Sequence, residues 1–255
     1  MSTPPSVESL LAELEAGARP AAAPPPDAPT STGWLPLLVA LALLWLLWST
    51  WVVYPLKLLV VLFHELSHGL AAVATGGEVL GIELVPQEGG LCKTAGGSRF
   101  LVLSAGYLGS LVWGGLILNL AARSRRDRLL TAILGALLLA TALFWVRPML
   151  SFGMVFALAA GLALLAAARW LSPQGNDFLL RLVGLTSMLY AVFDIQDDVL
   201  SRPHLSESDA GALAALTGIP TLVWGFLWIG LAVLGAGYFL FRSLALRPGT
   251  GARSA

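Results

Sequence analysis

VVLFHELSHGLAAVAT, residues 60–75, sets three ionisable side chains, His64, Glu65 and His68, into a run that is otherwise apolar. A charged side chain at the centre of a bilayer costs about 2.5–3.5 kcal/mol on insertion scales, so ionisable groups in such a run mark function. On a helix His64 and His68 share one face about one turn apart, with Glu65 beside them. Two neutral imidazoles at that spacing suit Zn²⁺, and a neighbouring carboxylate can take a proton from water that the metal acidifies. Without a metal, neighbouring helices would have to satisfy all three groups, which is costly at that depth.

His64-Glu-Leu-Ser-His68 is the His-Glu-x-x-His signature of zinc hydrolases, placed here in a membrane span. Composition agrees with the setting. Of 255 residues, 57 % are hydrophobic and 12 % charged, against about 25 % charged in an ordinary soluble domain. With a mean hydropathy of +0.80, the chain reads as an integral membrane protein. Its 9 tryptophans suit anchors at the membrane interface. A net charge of zero gives no argument for nucleic acid or for a polybasic lipid site. The single cysteine, Cys92, excludes an internal disulfide and reads as a small inert residue.

The expected fold is an all-α polytopic membrane protein of about seven spans, within a range of six to eight, with a small β-hairpin after the metal-motif helix. Residues 1–33 read as a disordered or weakly helical tail: residues 6–15 could form a short amphipathic helix, and the Pro-rich stretch after them an extended tether. This start lacks the basic and apolar regions of a signal peptide. The membrane domain covers residues 34–246, and 247–255 form a disordered basic tail. The first span is read from Trp34 to about Tyr54, and Pro55 breaks the chain before the second, which carries the motif. Residues 78–99 interleave Val79, Ile82, Leu84 and Val85 with polar residues and glycine pairs, a strand-and-turn pattern too polar to cross lipid. Its functional reading is a sheet edge that pairs with an extended substrate. The third span, about 100–122, has a small-residue face suited to packing against the metal-bearing helix, with no chemistry of its own. Further spans follow at about 129–146, up to 171, 178–193 and 220–240. A short helix near 209–216 is capped by Ser206 or Ser208.

A catalytic zinc takes three protein ligands and keeps one position open. Asp127, Asp177, Glu207 and Asp209 lie in polar loops, whereas Asp194, Asp197 and Asp198 abut the end of an apolar span and share one helical face. Asp194 is nearest the apolar run and is the first choice as third ligand. Asp197 and Asp198 are the alternates, or orient a ligand from behind. His204 reads as a surface loop histidine.

His64-Glu-Leu-Ser-His68 in a span, the Gly-rich hairpin after it, and a small-residue span with Ser104-Ala-Gly-Tyr-Leu-Gly109 together resemble the site-2 protease family of intramembrane zinc metalloproteases. More narrowly they resemble its multi-span bacterial branch, the peptidase M50B-like proteins. The similarity covers about residues 50–230, including Phe193-Asp-Ile-Gln-Asp-Asp198, Ser208-Asp-Ala210, Gly218-Ile-Pro220 and Trp224-Gly225. The resemblance implies zinc on His64 and His68, Glu65 as general base, and an aspartate of the sixth span as third ligand. The Asn-Pro…Leu-Asp-Gly motif that supplies this aspartate in better-studied members is absent. It further implies a multi-pass protein of a bacterial plasma membrane that cuts membrane-spanning protein substrates within the lipid bilayer, with no nucleic-acid partner. Oligomeric state is unspecified. The alternative is a catalytically inactive protease-like scaffold or chaperone, against which the retained Glu65 argues. A metal transporter would need more polar residues along several spans.

The basic loop Arg123–Arg128, Arg169, Arg181 and the C-terminal arginines fall on one side of a seven-span chain. The positive-inside rule makes that side cytoplasmic and puts the N-terminus and the hairpin outside. The resemblance implies a hairpin on the cytosolic side. The motif itself yields a direct test: Glu65→Gln should abolish cleavage while zinc, measured by atomic absorption, stays near one per chain. Full activity in that variant would contradict the general-base role.

Overall fold

In a computed structural model, the structure describes Glu8, residues 34–201 and residues 208–245. The N-terminal amphipathic segment, the proline-rich tether, Ser206, Glu207, His204 and the basic C-terminal tail lie outside the described residues. The elements in order are α1 (Trp34–Leu46), α2 (Tyr54–Ala74), β1 (Glu78–Val85), β2 (Gly89–Ala95), α3 (Arg99–Arg123), α4 (Asp127–Trp145), α5 (Phe152–Trp170), α6 (Pro173–Gln196), α7 (Asp209–Thr217) and α8 (Thr221–Ala245). A wide helical turn, Asp197–Ser201, extends α6.

Among the described residues, six helices are long and apolar enough to cross a membrane: α2, α3, α4, α5, α6 with its extension to Val199, and α8. The protein is therefore a multi-pass helical membrane protein. The expected first span, Trp34 to Tyr54, is instead a 13-residue helix followed by a series of turns. Thirteen residues reach about 20 Å, short of a hydrocarbon core of about 30 Å. Leu37 and Leu44 of α1 are buried in a cluster with Tyr107, Leu185 and Met188, while Trp34, Leu38 and Leu46 stay exposed.

Pro55 sits in the first turn of α2, where its missing N–H costs no hydrogen bond. The helix ends at Thr75, and Gly76 takes the left-handed backbone (φ 87°) that turns the chain. The Thr75 hydroxyl accepts from Ser98 N at 2.9 Å, tying the start of α3 to the end of α2.

Between these helices the chain runs back on itself. β1 and β2 pair antiparallel from Glu78↔Ala95 to Val85↔Gly89. A Cβ on Gly69 would stand 2.9 Å from Val79 and 3.6 Å from Cys92, and a Cβ on Gly90 would collide with the Glu65 carboxyl. At the tip, Lys57 pairs with Glu88 at 2.7 Å and the Tyr54 hydroxyl donates to Pro86 O at 2.7 Å. The hairpin thus lies along α2 from its last turns to its first. Eight strand residues cover about 26 Å, nearly the length of the helix. The hairpin expected from composition is present, but it runs beside a span instead of standing clear of it. Irregular backbone is tolerated at such depth only where protein covers it or it lines a wet cavity. β1 meets the first condition: Arg147 N donates to Ile82 O at 2.9 Å, Val146 bridges Ile82, and Gly153 of α5 packs on Leu84.

α3 packs on three neighbours through its small residues, Gly115 meeting Phe239 of α8. Gly106 and Gly109 meet α2. Gly114 meets α6 so closely that a Cβ there would stand 2.6 Å from Gly184 O, and one on Gly184 2.9 Å from Gly114 O. Ser187 Oγ adds a donated bond to Ser110 O at 2.6 Å. These contacts bring α2, α3 and α6 together around the motif.

Candidate metal centre

His64, Glu65 and His68 lie on the buried face of α2. The His68 Nδ1–H donates to Val102 O of α3 at 2.7 Å, and its Nε2 stands 3.1 Å from Asp209 Oδ2. His64 Nε2 lies 3.1 Å from the same oxygen. On its other side, His64 Nδ1 is 3.2 Å from Asp194 Oδ2. The Tyr107 ring packs edge-on against His64, and its hydroxyl donates to Asp198 Oδ2 at 2.5 Å.

Asp209 comes from the first turn of α7. Ser208 caps that helix, its hydroxyl accepting from Gly211 N at 3.1 Å. Gly218 (φ 73°) closes it, so the carboxylate projects from a rigid, capped turn. Burial alone would raise the Asp209 carboxyl. Were the rings protonated, the charge on His68 and the hydrogen bonds to both would outweigh it and hold the group below the ordinary carboxylate range.

His64, His68 and Asp209 each offer one donor atom, all within 4.8 Å of one another. Four-coordinate zinc holds such donors roughly 3.3 Å apart, close to the distances found. The tautomer adds a second argument. A carbonyl can only accept, so the proton of a neutral His68 sits on Nδ1 and its Nε2 presents a lone pair. That lone pair faces a carboxylate oxygen, which also only accepts. The pair is stable only with a cation or a proton between them, so the donor set fits a divalent metal.

Glu65 does not join the three donors but lies beside them on the wall of a cavity of about 1070 Å³. That wall also includes Asp194, Tyr190, Trp48 and much of β2, from Gly89 to Cys92. No residue of β1 lines it, so β2 stands between β1 and the cavity and presents there an edge that no strand pairs among the described residues. Cys92 is half-buried, and burial followed by the charges of Glu65 and Asp209 pushes its thiol up to about 12. A thiol so raised is a weak nucleophile at neutral pH.

The three sequence candidates for third ligand separate. Asp194 addresses the far nitrogen of His64, Asp198 is bound by Tyr107, and Asp197 is exposed. Asp209, set aside as a loop acid, meets both imidazoles. Two signals pointed to it: it begins an apolar helix, and it sits inside Ser208-Asp-Ala210. α3, read only as a packing helix, supplies the carbonyl that fixes the His68 tautomer, and Gly106, whose Cβ would collide with both Nε2 atoms.

A six-helix membrane fold, with a buried His-Glu-x-x-His helix meeting an aspartate beside a wide cavity, is the frame of an intramembrane metalloprotease-type protein. A model of the Peptidase M50B-like family matches residues 37–238, and the chain belongs to that family. No curated protein and no solved structure matches it.

Gly106 makes the centre testable through packing alone. Gly106→Ala should raise helix propensity by about 1 kcal/mol yet displace both rings. Bound metal after reconstitution, read by mass spectrometry, should fall by about 10-fold or more in affinity, with helix content by circular dichroism unchanged.

Proposed function

We propose that this protein is an intramembrane zinc endopeptidase that hydrolyses peptide bonds of membrane-spanning protein substrates. The observation that carries the reading is the meeting of His64 Nε2, His68 Nε2 and Asp209 Oδ2 beside the carboxyl of Glu65. His64, His68 and Asp209 would hold the zinc. Asp194 orients His64 from behind, as carboxylates commonly do for metal-bound imidazoles. Bound zinc supplies Lewis acidity, which acidifies water and polarises a peptide carbonyl.

The chain's own groups then do the proton work. Glu65, fixed against Gly90 of β2, takes a proton from water and returns it to the leaving amine. An intact helix hides its carbonyls, so the substrate must unwind before it can be cut. The free edge of β2 favours this step, because a segment added to that edge is held extended by main-chain hydrogen bonds. The bacterial plasma membrane is the setting that the family resemblance supports.

The test is cleavage by the zinc-loaded chain in lipid. It should cut a transmembrane peptide carrying a central Asn-Pro or Gly pair, and spare an all-leucine span of equal length. A zinc chelator should stop the reaction, and added zinc should restore it. A loaded chain that cuts neither peptide, nor unfolded casein, would return the scaffold reading.

A further inference from the structure

Lys57 takes no part in the centre described above, yet its side chain is only 8 % exposed within an apolar span. A buried ammonium persists only when it is paired. Its Nζ lies 2.7 Å from Glu88 Oε2 and 5.5 Å from the centroid of the Trp48 ring. Trp48 in turn packs on Tyr190 and Phe193 of α6.

Glu88 is unusual for a separate reason. It ends the three-residue loop Pro86-Gln87-Glu88 between paired Val85 and Gly89, and its φ is 62°. Hairpins with three-residue loops place glycine at this left-handed position, and few other residues adopt it. The chain has glycine at the next two positions but glutamate here. The strain is accepted at a place from which a carboxylate reaches Lys57. Tyr54 Oη bonds Pro86 O, and Tyr190 Oη lies 3.5 Å from Glu88 O, so the tip is held from both α2 and α6. Directly after the tip, β2 begins, and Gly90 seats on Glu65.

We propose that Lys57 is a positioning residue: by pairing with Glu88 it fastens the hairpin tip to α2, which holds Gly90 against Glu65 and the free edge of β2 beside the metal centre. The fastening is independent of the reaction, whereas its use in holding an extended substrate rests on the endopeptidase reading. Lys57→Met or loss of the Glu88 carboxylate leaves one charge unpaired, and the hairpin then parts from α2. Cys92, the only cysteine, lies on β2 against Gly69 and reports that parting.

The experiment follows maleimide labelling of Cys92 in the full-length, zinc-loaded chain, together with zinc content and cleavage of casein. Labelling should accelerate roughly tenfold in Lys57→Met and in Glu88→Gly, as for a local opening, while Lys57→Arg stays near wild type. Zinc should remain near one per chain throughout, and casein KM should rise more than kcat falls. Glu88→Gly decides, because it relieves the backbone while removing the pair. A hairpin held by its turn alone would label more slowly in that variant, and slower or unchanged labelling overturns the proposal. So does Lys57→Arg behaving like Lys57→Met, or an unchanged KM in a cleaving enzyme. If no form cleaves casein but labelling follows expectation, the endopeptidase reading fails and the fastening stands.

Discussion

One carboxylate oxygen, Asp209 Oδ2, stands 3.1 Å from two imidazole nitrogens on a helix about 140 residues earlier in the chain. The rest of the structure is arranged so that this meeting can occur. α2 must be buried on its motif face, α3 must come close enough for Val102 O to fix His68, and Gly106 must leave room for the rings. α6 must end where its continuation can lead to α7, and Tyr107 holds that end through Asp198. Each requirement falls on a small residue or a short hydrogen bond, which suits helices packed in lipid, where close backbone approach and polar contacts replace hydrophobic burial as the source of cohesion.

The hairpin answers a different constraint. Peptide hydrolysis at bilayer depth needs water and an extended substrate, and neither is native to hydrocarbon. In the proposed reading a two-stranded sheet beside α2 serves the second need: Ile82 on its covered edge pairs with Val146 and Arg147, while β2 lines the cavity. Polar backbone that would be costly against lipid is thereby placed against protein and along a cavity.

His64, Glu65 and His68 were legible because helical spacing is local, and a three-residue polar interruption of an apolar run stands out. The longer spans were legible for the same reason, with boundaries within a few residues except at the start of α6, at Pro173 rather than near Phe178, and the end of α8, at Ala245 rather than near Leu240. Position in space was not legible. The strands could be read from alternation, but nothing local says that they return along α2. The orientation cues conflict only if the hairpin is taken as a loop at one end. Its root and its tip lie at opposite ends of the same helix. Trp34 to Tyr54 looked like a span because, Ser49 and Thr50 apart, turn residues 47–53 continue the apolar run of the helix before them. Asp209 was hidden because the residues before it, Ser206 to Ser208, are polar, and sequence rank by apolar context favoured Asp194. Lys57 drew no notice beside a stronger motif, and Glu88 is unusual only once its backbone angle is known.

The central claim is that the centre is closed by Asp209, with Asp194 behind it. Zinc stoichiometry of the reconstituted wild type, Asp209→Ala and Asp194→Ala, measured on protein dialysed against weak chelator, tests it most directly. The account predicts about one zinc in wild type, none in Asp209→Ala, and zinc retained in Asp194→Ala with affinity reduced by about 10- to 100-fold, the usual cost of losing an outer partner. A loaded Asp209→Ala beside an empty Asp194→Ala would contradict it.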